Sequence, residues 1–129
     1  MRYIIVLVLF SLTLFVFVFA SEISSFNGRP EKKEDVCYSW WVLSSLSALN
    51  RLAWIDRPAL AQFILGAQDP ADGGISDRPD CMTDVYHTYF GIAGLSLLGY
   101  PGLEKVDPIY ALPVKTVRRL GLRRAAYAE

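Results

Sequence analysis

Asp35, Cys37 and His87 supply a carboxylate, a thiol and an imidazole, three side-chain types that ligate metal ions, and an internal repeat puts them in register. The passages RPEKKEDVCYSWW from Arg29 and RPDCMTDVYHTYF from Arg78 both read R-P, four residues, D-V, then a run of aromatic and small hydroxylic residues. Cys37 stands where the second copy has Tyr86, and Tyr38 where it has His87. The spacing of the copies lies just beyond the period of about 40–47 residues of two-helix arrays, so each copy predicts one helical hairpin. Equivalent corners of adjacent hairpins are neighbours, and Asp35, Cys37, Tyr38 and His87 all fall at such corners.

Each of these residues also has a plain structural reading. Cys37 alone is an ordinary buried side chain, Asp35 alone a helix cap, and His87 alone a hydrogen-bonded core histidine. Arg29 and Lys32 lie in a charged stretch that a solvated loop would also explain, and Trp40 and Trp41 suit a core. Cys81 has no partner at metal-ligand spacing and reads as a loop cysteine. Asp84 repeats the cap of Asp35 and is placed to stand behind His87 as an outer partner.

The elements that must position these side chains are helices joined by turns. Asp35 caps a predicted helix over about 36–51, with Trp40, Trp41, Leu43, Leu46, Leu49 and Leu52 as its dominant apolar face. So apolar a helix is expected to be buried on most sides. Asp56 caps a second helix with Pro58 in its first turn and Leu60, Phe63, Ile64 and Ala67 facing inward. Asp69-Pro70, Asp72-Gly73-Gly74 and Arg78-Pro79 are turn chemistry. A third helix runs over about 85–98, capped by Asp84 and ended by Gly99. Pro101, Pro108 and Pro113 then predict an extended tail with a basic end from Lys115 to Arg124.

The 129 residues are 53% hydrophobic with a formal net charge of zero, which fits one domain and gives no reason to expect nucleic acid. Part of that apolar content is a leader over residues 1–22, uncharged from Tyr3 to Ala20. Three readings of it stay open. Val18-Phe19-Ala20 before Ser21 fits a cleaved secretory signal, about 18 uncharged residues just span a bilayer, and the change of character at Phe26 fits a segment foreign to the domain. Two cysteines are too few for a disulfide framework and suit a reducing compartment.

NGRPEK, DVCYSWW, WIDR, QD followed by GG, DRP, HT and FGIAGLSLLG resemble the C-terminal part of the beta subunit of protein prenyltransferases, nearest to the type II enzyme acting on Rab proteins. The resemblance covers Asn27 to Leu122. It implies an all-α fold, a partial α/α toroid of helical hairpins following a hydrophobic leader helix, with zinc at the rim of a central funnel.

Carried over residue by residue, the resemblance implies that Asp35, Cys37 and His87 ligate one Zn2+ and leave a fourth position for the substrate cysteine thiol, as a catalytic site requires. It implies that Arg29, Lys32 and Tyr38 hold the diphosphate of geranylgeranyl diphosphate, and that Trp41 lines the isoprenoid funnel. Expected partners are a prenyltransferase alpha subunit and a Rab GTPase with its escort protein, in the cytoplasm, although a genuine leader would imply a secretory or membrane location. The chain matches only the final portion of such a subunit, so alone it is expected to be inactive. The alternative is a non-catalytic zinc-binding or scaffolding helical module.

Overall fold

The computed structural model describes residues 25–28 and 31–122. The expected leader and Arg29 lie outside the described residues. Three substantial helices carry the fold: α1 (Cys37–Ala48), α2 (Arg57–Gly66) and α3 (Val85–Leu98). A 3-10 turn at Leu52–Trp54 links α1 to α2. After α3 come two short strands, β1 (Val106–Asp107) and β2 (Leu112–Pro113), then α4 (Val114–Arg119).

Local chemistry accounts for the helix ends. Asp56 Oδ1 accepts from the Ala59 N–H at 3.0 Å, and Pro58 sits in the first turn, where a missing N–H costs nothing. Asp84 Oδ1 accepts from the His87 N–H at 2.8 Å. Asp35 acts one position earlier than a regular cap, accepting from the Cys37 N–H at 2.9 Å, so the two repeat copies enter their helices one residue out of step.

The expected run of α1 to residue 51 is corrected: the helix ends at Ala48. Asn50 takes a left-handed conformation (φ 55°), and the Arg51 N–H returns to the Leu46 carbonyl at 2.8 Å. Asparagine is the second choice after glycine for that conformation. Gly99 ends α3 in the same way, with the Tyr100 N–H on the Leu95 carbonyl at 3.0 Å.

The core is one cluster in which Val36, Leu43 and Leu46 of the first hairpin meet Leu60 and Ile64 of α2, Ile75 of the long turn, and Leu95 and Leu98 of α3. Close contact between α1 and α3 depends on small residues. A Cβ on Gly91 would lie 2.9 Å from Ile75 Cδ1 and 3.2 Å from Val36 Cγ1, and one on Gly94 would lie 3.2 Å from Ser39 Cβ. Val36 meets Gly91 and Ser39 meets Gly94, so the register advances in the same direction along both helices. They run parallel, and their N-terminal ends come together at one rim.

The 67–84 segment is a pinned strap. The Ser76 N–H bonds the Ala67 carbonyl at 3.0 Å, the Ile75 N–H bonds Thr88 Oγ1 at 2.8 Å, and the Val36 N–H bonds the Asp77 carbonyl at 2.8 Å. Its turn chemistry is as the residues predict, with Asp69 Oδ1 accepting from Ala71 and Asp72.

The expected extended tail is corrected to an antiparallel β1–β2 pair followed by α4. Asp107, buried, folds the tight link by accepting from the Ile109 and Tyr110 N–H groups at 2.9 and 3.2 Å. Ser96 Oγ donates to the Glu104 carbonyl at 2.6 Å and accepts from the Val106 N–H at 3.0 Å, fastening the tail to α3. Among the described residues no helix is long and apolar enough to cross a membrane.

Candidate metal centre

The parallel helices bring one group of metal-binding side chains to their shared rim. Ligand atoms of Asp35, Cys37 and His87 all lie within 4.8 Å of one another. Asp35 and Cys37 come from the entry to α1, held by the Asp35–Cys37 backbone bond and by the Val36–Asp77 bond to the strap. His87 comes from the first turn of α3, with its backbone N–H taken by Asp84.

His87 lies between two carboxylates. Its Nδ1 is 2.6 Å from Asp84 Oδ2, and its Nε2 is 3.3 Å from Asp35 Oδ1. Two states satisfy that arrangement: an imidazolium bridging both acids, or a neutral ring whose Nε2 lone pair and an Asp35 oxygen both face a cation. A simple ion pair needs no thiol, yet Cys37 completes the group. A carboxylate oxygen, a thiolate sulfur and an imidazole nitrogen are a zinc donor set, and three protein ligands leave a position open. The spacing is one that small side-chain shifts close onto bonds of about 2.0–2.3 Å. The residues therefore fit the metal that the sequence suggested.

The electrostatics set the terms of binding. Burial first, then the hydrogen bond and negative charge of Asp35, push the Cys37 thiol up to about 12, and hydrogen bonding from Tyr86 and Trp41 opposes this only in part. The Asp84 carboxyl is held below the usual carboxylate range, first by the His87 backbone N–H and then by the imidazole. A thiol that is protonated through the neutral range must lose its proton to ligate a metal. Zinc affinity is therefore expected to rise with pH, by about tenfold per unit for one released proton. A competition titration between pH 6 and 8, roughly the range in which that proton is still bound, checks this; an affinity independent of pH would exclude Cys37 as a ligand.

The structure brings together Asp35, Cys37 and His87, with the Trp41 side chain hydrogen-bonded to Cys37. Trp41 is 43% exposed on the rim side of α1, its ring centroid 5.0 Å from that of Phe90. Tyr38 packs on the core with its phenol over Gly28, where a Cβ would overlap it. Lys32 is exposed, its carbonyl accepting from Asn27 Nδ2 at 2.8 Å. The Tyr38 backbone N–H donates to the Asp35 carbonyl at 3.1 Å, but no described side-chain hydrogen bond joins Lys32 or Tyr38 to the metal-binding group. Cys81 is an exposed free thiol, pushed up by hydrogen bonding to Asp77, and takes no part.

One feature was missed in the sequence. Tyr86, Tyr89 and Phe90 form an aromatic face with Trp41: Phe90 lies 4.8 Å from Tyr86 and 5.3 Å from Tyr89, centroid to centroid. Tyr86 and Tyr89 are about half exposed, at 48% and 47%. Their spacing of three and four residues along α3 was the available signal. An aromatic wall beside a metal-binding group offers an apolar ligand a surface next to a reactive centre.

Parallel helical hairpins carrying such a centre at their rim define the class of protein: the chain belongs to the prenyltransferase alpha-alpha toroid family, whose domain profile matches residues 12–112. Within that family it is similar to geranylgeranyl transferase type-2 subunit beta of Saccharomyces cerevisiae, 61% identical over 87 residues, 67% of this chain and 27% of the relative. It is likewise similar to type-2 subunit beta 1 of Arabidopsis thaliana, 63% identical over 94 residues, 73% of this chain and 29% of the relative. Among solved structures, Candida albicans protein geranylgeranyltransferase-I complexed with GGPP superposes with a TM-score of 0.71 at 30% identity, covering 78% of this chain and 29% of that one. Identity is twice as high to the type-2 subunits as to the type I structure. The chain spans under a third of the length of these curated relatives.

Proposed function

We propose that this chain is the zinc-site portion of a protein geranylgeranyltransferase type II beta subunit, which transfers geranylgeranyl from geranylgeranyl diphosphate to C-terminal cysteines of Rab proteins in the cytoplasm. Its partners in this reading are an alpha subunit and a Rab with its escort protein. The observation that carries the reading is the convergence of Asp35, Cys37 and His87 within 4.8 Å at a rim flanked by aromatic rings. Identities of 61% and 63% to type-2 beta subunits support the choice of lipid and acceptor.

The residues divide the work by their chemistry. Asp35, Cys37 and His87 would hold one Zn2+, which when bound supplies Lewis-acid activation that turns a substrate thiol into a thiolate near neutral pH. In the transfer a C–S bond forms at the first carbon of the isoprenoid as its C–O bond to diphosphate breaks. Arg29, Lys32 and Tyr38 are assigned to the departing diphosphate, whose growing negative charge needs cations and a hydroxyl donor. Trp41, Tyr86 and Phe90 offer the chain of the lipid an apolar wall that excludes water.

Purified alone, the 129-residue chain is expected to prenylate no Rab, even with alpha subunit, escort protein and labelled geranylgeranyl diphosphate, because a funnel wall of two hairpins encloses little of the lipid. Residues 27–122 exchanged into the corresponding segment of the Saccharomyces cerevisiae relative are expected to support Rab prenylation. Activity of the isolated chain would overturn the first expectation. A chimera that assembles with its alpha subunit and binds zinc yet transfers nothing would overturn the functional reading and favour a non-catalytic zinc-binding module.

A further inference from the structure

We propose that Asp84 is the positioning residue of the metal centre: its carboxylate fixes the tautomer and ring orientation of His87, so that Nε2 is presented as a ligand before any ion arrives. The proposal rests on the zinc-site reading above and concerns a residue outside the three ligands.

The geometry is specific to one carboxylate doing two things. Asp84 Oδ1 accepts from the His87 backbone N–H at 2.8 Å, and Oδ2 lies 2.6 Å from Nδ1 of the same residue. An ionised carboxylate can only accept, so Nδ1 carries a proton and Nε2 is the nitrogen left to ligate, its lone pair free in the neutral state of the ring. Nε2 points to the opposite side, toward Asp35 Oδ1 at 3.3 Å. Backbone and ring of His87 are thus clamped by two oxygens of one side chain, which leaves the imidazole little freedom to rotate away. The first repeat copy has no such clamp: Asp35 uses Oδ1 for the Cys37 N–H and is itself a member of the metal-binding group. The same aspartate of the repeat is a ligand in one copy and a support in the other. Outer partners of this kind set the basicity and aim of a ligating histidine.

Asp84→Asn separates this role from helix capping. Asparagine caps as well as aspartate, so α3 keeps its start. The remaining side-chain atom becomes an NH2 donor facing Nδ1, which favours the tautomer with hydrogen on Nε2 and blocks the ligand. Zn2+ affinity of the full chain, measured by competition with a chromophoric chelator, is expected to fall about 10–100-fold, with the melting temperature of the metal-free chain little changed. Asp84→Ser, which caps but does not reach Nδ1, is expected to fall in the same direction, and it decides the matter if the asparagine variant does not fold. Binding by a folded variant within about twofold of wild type, well short of that range, would overturn the proposal and leave Asp84 a cap only. A wild-type chain that binds no Zn2+ fails differently, overturning the zinc-site reading itself and this inference with it.

Discussion

Cys37→Ala is expected to lower the affinity of the chain for Zn2+ by well over a hundredfold while changing the stability of the metal-free chain by only about 1 kcal/mol. The two halves of that result have separate causes. Without metal, Cys37 is a protonated thiol, pushed up to about 12, so the substitution removes a small neutral side chain that is 7% exposed. With metal, the same atom is the thiolate of a three-ligand site, and its loss leaves a carboxylate and an imidazole that cannot hold the ion alone. Loss of even an outer partner costs about 10–100-fold in affinity, so a direct ligand must cost more. Cys81→Ala is the internal control, since that thiol is exposed and outside the group. Chelator competition on both variants measures the difference. Equal affinities for Cys37→Ala and wild type would sink the metal centre, as would a loss confined to Cys81→Ala.

Gly91→Leu is expected to destabilise the chain by about 3 kcal/mol and to weaken metal binding with it. Gly91 is buried where α3 meets the strap and the entry of α1, and even a Cβ would come within 2.9 Å of Ile75 and 3.2 Å of Val36. A leucine cannot be absorbed there without moving the helices apart. That movement carries His87 away from Asp35 and Cys37, because α3 supplies one ligand and the α1 entry the other two. For a domain of this size, such a loss lowers the melting temperature by roughly 10–20 °C. Gly91→Ala is expected to be far milder: helix propensity favours alanine by about 1 kcal/mol, and its closest contact is the flexible end of Ile75. Thermal melts and zinc titrations of the two variants check the order. An unshifted melting temperature for Gly91→Leu would mean that the packing at Gly91 does not hold the rim together.

Much of this architecture was legible because it is written in short-range chemistry. Asp56 with Pro58, Asp84 and Gly99 announced helix boundaries that the structure reproduces. The C-terminal end of α1 was misplaced although Asn50 carried the signal; the apolar pattern continuing to Leu52 outweighed it. The tail was read as extended because three prolines suggested it. Its turn depends instead on Asp107, whose carboxylate accepts from two backbone N–H groups of its own loop, and on Ser96, eight and ten residues from its partners. The aromatic face of Tyr86, Tyr89 and Phe90 was passed over because Tyr86 was weighed only as the repeat counterpart of Cys37.

The sequence by itself determined the helices and their caps, the repeat, and through the repeat the meeting of Asp35, Cys37 and His87 at one corner. These follow from interactions spanning a few residues, or from a periodicity that survives without coordinates. Only the tertiary structure decided how the corner works: the parallel approach of α1 and α3 over Gly91 and Gly94, the carboxylate behind each nitrogen of His87, and the burial that keeps Cys37 protonated. Those properties depend on distances between atoms far apart in the chain and on the exclusion of water around them, and neither exists until the helices have packed.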